Sequence, residues 1–214
     1  MSGNKGVWLL AIYLFLAVYL LPMFPHGGSA NELTRWATAA SLVERHSFEI
    51  SWTEDLIGPN VDTARVDGRT YSNKAPGTAV LAAPFYAIAR VLVGPPDASN
   101  IRVTWFAMRF ALSSIPLFLL GLWLYRKDAD ETSLAVLLFA SPLFVYSLLL
   151  FSHVLVAVLV YFAFRLIYDN RPIMPRGCLY AGTLSGLAVI CEFPALFAVG
   201  VLGCGLFVTE KQER

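Results

Sequence analysis

The chain has 214 residues, of which 57% are hydrophobic, 14% aromatic and 14% charged, with a formal net charge of +1. A soluble domain of this size carries roughly 25% charged residues, so the composition excludes an ordinary water-facing surface. The near-zero charge excludes a field suited to nucleic acid, and apolar runs of about 20 residues point to the bilayer as solvent.

Residues 7–23 form an uncharged apolar run behind Lys5. A secretory signal peptide starts the same way, and Gly28-Ser29-Ala30 offers small residues for cleavage. The run is longer than a usual signal core and more apolar runs follow, so it reads as a retained first span over 7–25. Residues 26–100 differ in kind. They hold eight acids, more than half of the fifteen in the chain, and six bases. The segment 31–46 predicts an amphipathic helix on the membrane surface, with Asn31 as N-cap and Leu33, Trp36, Ala37 and Ala40 on its apolar face. A polar, turn-rich stretch, DGRTYSNKAPG, then covers 67–77. Gly77 to Val93 is apolar but interrupted by Pro84 and Arg90, which predicts a second interfacial or re-entrant helix, with a full span as the alternative.

Val103 to Tyr125 is the second clear span, closed by Arg126-Lys127. Residues 133–164 then run 32 residues without a charge. As one helix they would reach about 48 Å, too long for a core of about 30 Å. Ser152-His153 near the middle predicts a tight hairpin, with Ser152 capping the returning helix. Residues 177–208 repeat the pattern with Glu192 as their only charge. A glutamate is costly at mid-bilayer and tolerable at a hairpin tip, so the chain is expected to turn there.

The expected fold is therefore all-α and polytopic, a single membrane domain over 1–214 with about six transmembrane helices. A large outer loop, 26–100, carries interfacial helices, and two tight hairpins follow one span within 101–208. Lys5, Arg126, Lys127, Arg165, Arg171, Arg176, Lys211 and Arg214 then fall on one side. That places both termini in the cytoplasm of a cell with this chain in its inner membrane, and puts the loop and both hairpin tips outside. Cys178, Cys191 and Cys204 are spaced by 13 and 13, which fits no short zinc pairing and reads as buried free thiols.

Glu32-Leu33-Thr34-Arg35-Trp36, straight after the first span, resembles the first outer loop of the GT-C glycosyltransferases. These include protein O-mannosyltransferases and bacterial lipid A aminoarabinose transferases. The Lys-Pro motif in Tyr71-Ser72-Asn73-Lys74-Ala75-Pro76-Gly77 is a second likeness, similar to bacterial members whose loop reads D-G-x-x-Y-S-x-K-A-P-G. The order of elements is a third, and it covers essentially the whole chain. The resemblance implies transfer of a sugar from a polyprenyl-phosphate donor to a glycan, lipid or protein acceptor outside the membrane. It implies Glu32 as the catalytic or acceptor-orienting carboxylate, with Arg35 and Lys74 on the donor phosphate. Asp67, Tyr71, His153 and Glu192 are candidate supporting residues.

Where the family acid is usually aspartate, this chain has glutamate. Where some relatives place a metal-binding glutamate before the lysine, it has Asn73, so no metal is expected there. Full members are longer, and the C-terminal half of the family fold is expected to be absent. The chemistry is coherent: cations at a water-poor interface stabilise a leaving phosphate, arginine as a fork and lysine as a point charge. Plainer readings stand beside it. Glu32 can complement a helix dipole, Lys74 can be a solvated turn residue, His153 can be a satisfied interfacial histidine, and Glu192 can mark a turn. A lipid-linked sugar transporter or flippase, or a non-catalytic membrane subunit, are the alternatives. Cysteines placed singly at Asp130 and Asn60 should react with an impermeant thiol reagent from opposite sides; same-side labelling overturns the six-span arrangement.

Overall fold

The computed structural model describes residues 3–20, 29–169 and 175–212. The end of the first apolar run, Gly28 of the cleavage-like site, Arg171 and Arg214 lie outside them. The chain is mostly helical, beginning with α1 (Gly3–Leu20) and α2 (Ala30–Glu44). The cap of α2 is Ser29, whose hydroxyl accepts the Glu32 N–H at 3.3 Å, rather than Asn31. Asn31 instead accepts a hydrogen bond from Arg35 Nε at 2.8 Å.

A surface helix with one wet face was expected over this segment, but α2 is enclosed on nearly every side. Glu32 and the continuous run Thr34 to Ser41 are buried. Two hydroxyls of its polar face find partners inside, while among the described residues that of Thr34 has none. Thr38 donates to the Thr34 carbonyl at 2.8 Å, and Ser41 accepts from Trp52 Nε1 at 2.8 Å. On the apolar side α4 (Gly77–Val93) and α5 (Ile101–Arg109) close over it. Trp36 stacks on Trp105 at 5.4 Å, meets Tyr86 edge-on at 6.0 Å, and donates to Thr104 Oγ1 at 3.0 Å.

Between α2 and α4 lie the short α3 (Glu54–Ile57) and an antiparallel hairpin of β1 (Thr63–Val66) and β2 (Arg69–Ser72). Asp67 and Gly68 form its two-residue turn with φ of 49° and 75°, the conformation an Asp-Gly pair favours. The Ile50 N–H donates to the Thr70 carbonyl at 2.8 Å, tying β2 to the loop after α2.

Helix α5 runs through a π-helical turn, Phe110–Ser114, into α6 (Ile115–Arg126). The continuous helix Ile101–Arg126 is, among the described residues, the one that is long and apolar enough to cross a membrane by length and composition. Six such spans were expected. The other apolar helices are shorter: α1, α4, the run Glu131–Ala140 that α7 (Glu131–Ala135) opens, α9 (His153–Tyr168), α10 (Pro175–Cys191) and α11 (Ala195–Gln212). A 17-residue helix reaches about 26 Å, just under a core of about 30 Å.

Residues 133–164 break twice rather than once. Pro142 cannot continue the preceding helix, so a separate α8 (Pro142–Tyr146) forms before the turn leading to Ser152. Ser152 sits at the start of α9 without capping it, its hydroxyl donating to Glu192 instead. Glu192 itself lies in the turn between α10 and α11, the place expected from its charge.

Two main cores result. One gathers Trp36, Tyr86, Trp105, Met108 and Leu150; the other Leu10, Tyr13, Leu117, Leu138 and Val154. Trp8, Phe15, Ile88, Leu92, Phe197 and Val201 point outward. Of the three cysteines, all free, Cys191 is buried while Cys178 and Cys204 are exposed, where burial was expected of all.

The first residue of α4 meets the last turn of α10 backbone to backbone. A Cβ on Gly77 would lie 2.6 Å from the carbonyl carbon and oxygen of Ile190. The Thr78 hydroxyl donates to the Cys191 carbonyl at 3.3 Å, satisfying one acceptor at that helix end. Gly77→Ala should therefore force the two helices apart and destabilise the protein by about 1–3 kcal/mol. A thermal-unfolding midpoint in detergent equal to wild type would contradict that contact.

Candidate functional site

Two buried arginines organise the polar interior. Arg109, 1% exposed, donates from Nε to Glu32 Oε1 at 2.9 Å, and Glu32 is equally buried. The same oxygen accepts the Leu150 N–H at 2.7 Å, so Glu32 also holds the non-helical backbone ahead of α9. The Arg109 guanidinium lies over the Trp105 ring, 5.7 Å from its centroid. Sequence reasoning passed over Arg109; an arginine inside an otherwise apolar span was the available signal.

Arg35, 2% exposed, sits one helical turn beyond Glu32 and is held at two points. Asn31 fixes Nε, and Glu192 Oε2 lies 3.3 Å from Nη2. Glu192 is in turn held by the Ser152 hydroxyl, so the turns before α9 and before α11 converge on α2. Burial pulls the Arg35 pKa down, against the neighbouring Glu192 carboxylate, which pulls it up. Among the described residues nothing hydrogen-bonds Arg35 Nη1. An unpaired buried N–H on a cation is costly unless a ligand meets it.

Arg35 forms one wall of a cleft of about 200 Å³, with Thr38, Phe48, Tyr71, Ser72 and Lys74 among its other lining residues. The polar stretch after the hairpin turn explains how Lys74 arrives there. β2 delivers Tyr71 and Ser72, the Ser72 hydroxyl accepts the Lys74 N–H at 3.1 Å, and Ala75-Pro76 lead directly into α4. Lys74 Nζ pairs with Asp62 Oδ1 at 3.1 Å, and the Asn73 N–H donates to the Asp62 carbonyl at 3.3 Å. Asp62 was not among the residues singled out from sequence.

The structure thus brings Arg35, Lys74 and Tyr71 to one cleft, with Glu192 against Arg35. Glu32 is not part of the cleft lining and turns to Arg109 instead. Asp67 is exposed at the hairpin turn. His153 packs its ring on Phe151 and Tyr146 and is not among the residues lining the cleft. A larger cavity, about 790 Å³, is lined by Lys5, Tyr125, Arg126, Asp130 and Glu131. About 26 Å of helix separates Arg126 from Arg109. Its Lys5–Glu131 pair at 3.5 Å is well exposed, and the buried guanidiniums lie elsewhere.

The cleft can bind an oxyanion of phosphate type between a fixed guanidinium and an ammonium, with Phe48 and Tyr71 supplying aromatic surface. Comparison with protein-family models, curated proteins and solved structures finds no match to this chain.

Loss of the Glu32 carboxylate would leave Arg109 charged and enclosed. Glu32→Ala should cost about 3–5 kcal/mol of stability, and the joint replacement Glu32→Met with Arg109→Met markedly less. Equal unfolding free energies for the single and the paired variant would show that the two are not coupled.

Proposed function

We propose that this chain is a multi-pass protein of the inner membrane that acts as a GT-C-type glycosyltransferase, moving a sugar from a polyprenyl-phosphate donor to an acceptor on the outer side. Arg35 carries this reading. It is a cation removed from water, braced by Asn31 and Glu192, with one nitrogen unpaired among the described residues, and it lines the cleft it shares with Lys74. Such a pair suits a phosphate at headgroup level. As the glycosidic bond breaks, its electrons go to the phosphate oxygen, and the two cations stabilise that charge where little water competes. The acceptor oxygen bonds to the sugar, and its proton passes to a carboxylate. The outward apolar residues, including Trp8, Phe15, Phe197 and Val201, support lipid as the surroundings of the helices. The helix Ile101–Arg126 supports the same placement.

Glu32 is the expected proton acceptor, and its enclosure against Arg109 and the Leu150 N–H favours a second reading. A lipid-linked sugar transporter needs the phosphate-binding cations and no base. Arg35→Ala and Lys74→Ala should each weaken undecaprenyl-phosphate binding in nanodiscs by about tenfold or more. Unchanged binding removes the phosphate assignment. Glu32→Gln separates the two readings: it should abolish sugar transfer with donor binding kept, whereas undiminished movement of the lipid without transfer identifies a transporter.

A further inference from the structure

Each cation of the cleft is partnered by a carboxylate from outside its lining. Glu192 reaches Arg35 from the turn between α10 and α11, and Asp62 reaches Lys74 from the loop ahead of β1. The two pairs are built differently. Glu192 is held by the Ser152 hydroxyl beside a nearly unexposed guanidinium, and the residue before it is bound to Thr78. Asp62 and Lys74 have 24% and 27% of their side chains exposed, and among the described residues the Asp62 carboxylate has no other ion pair or hydrogen bond. A partly exposed pair with no further bracing is weak, whereas a phosphate shared by arginine and lysine gains charge-assisted bonds from both.

We propose that Asp62 is the cleft's displaceable counter-ion: an entering phosphate takes Lys74 from Asp62 while Arg35 stays on Glu192. The proposal rests on the cleft being a phosphate site, whether the phosphate belongs to a lipid headgroup or is free. Asp62 then holds Lys74 in place when no ligand is bound and opposes binding by competing for it. A merely structural Asp62, one that positions Lys74 for the ligand, has the opposite consequence when its charge is removed.

The test is phosphate affinity of the full chain in nanodiscs, with undecaprenyl phosphate and inorganic phosphate as separate probes. Asp62→Asn, which keeps side-chain shape, should tighten binding by about threefold or more. In the Lys74→Ala background the same change should have a much smaller effect, limited to the through-space action of Asp62 on Arg35, since the competition runs through Lys74. Asp62→Ala gives the same comparison should the asparagine variant be poorly folded. Weaker or unchanged binding in the Asp62 variants overturns the proposal, as does tightening that persists undiminished without Lys74, which would be a general field effect. Binding of inorganic phosphate alone, tightened by Asp62→Asn, would retain the counter-ion and remove the lipid-linked donor. A wild-type protein that binds neither probe removes both.

Discussion

Two guanidinium groups with almost no solvent contact set the terms for the rest of the molecule. Arg35 and Arg109 stand in a chain with few charges, and each draws a carboxylate across a long stretch of sequence, 157 residues to Glu192 and 77 to Glu32. A buried cation without a counter-charge is destabilising enough that these pairs constrain which helices can be neighbours. The Glu32–Arg109 pair fixes α2 against α5. The Arg35–Glu192 pair fixes α2 against the turn between α10 and α11. Between them they hold the helix that carries the cleft wall.

The same region has to satisfy an irregular backbone among apolar helices. The segment between α8 and α9 leaves helical geometry, and its polar groups are met by side chains. The Ser113 hydroxyl donates to the Leu149 carbonyl at 2.6 Å, Ser114 to the Ser147 carbonyl at 2.7 Å, and Glu32 takes the Leu150 N–H. Ser113 and Ser114 lie in the π-helical turn, whose own Ser114 carbonyl accepts from Tyr13 at 3.1 Å. Enclosure by protein with every polar group met in this way is what lets non-helical backbone persist away from water. Glu32 thus belongs both to a charge pair and to a backbone repair.

What could be read from the sequence was what is local. The apolar run around Val103–Tyr125 lies within the long helix, and the charge of Glu192 marked the turn after α10. Arg35 and Lys74 were linked through a family resemblance, not through spacing, and they do line one cleft. The rest depended on contacts between distant segments. Periodicity in α2 shows an apolar face but cannot show that loop residues such as Trp52 cover the other one. The Asn31 side chain was assigned to a cap, although Arg35, four residues on along the same helix, was within its reach. Asp62 carries no sequence mark of its own, since its importance comes from facing Lys74 across the loop. Two signals were legible and went unused: Asp67-Gly68 between strand-like residues, and an arginine at 109 within an apolar helix.

The contact between α4 and α10 has a mechanical consequence. With no side chain at Gly77, the two backbones touch, and the Thr78 bond pins them at that point. Close-packed surfaces of this kind transmit displacement rather than absorb it. Ala75-Pro76, at the lip of the cleft, is joined to one helix, and Glu192 follows directly from the other. The lip and the Arg35 partner therefore travel together, as parts of one lever. A displacement of α10 would bear on the cleft lip and on the partner of the Arg35 guanidinium in the same movement.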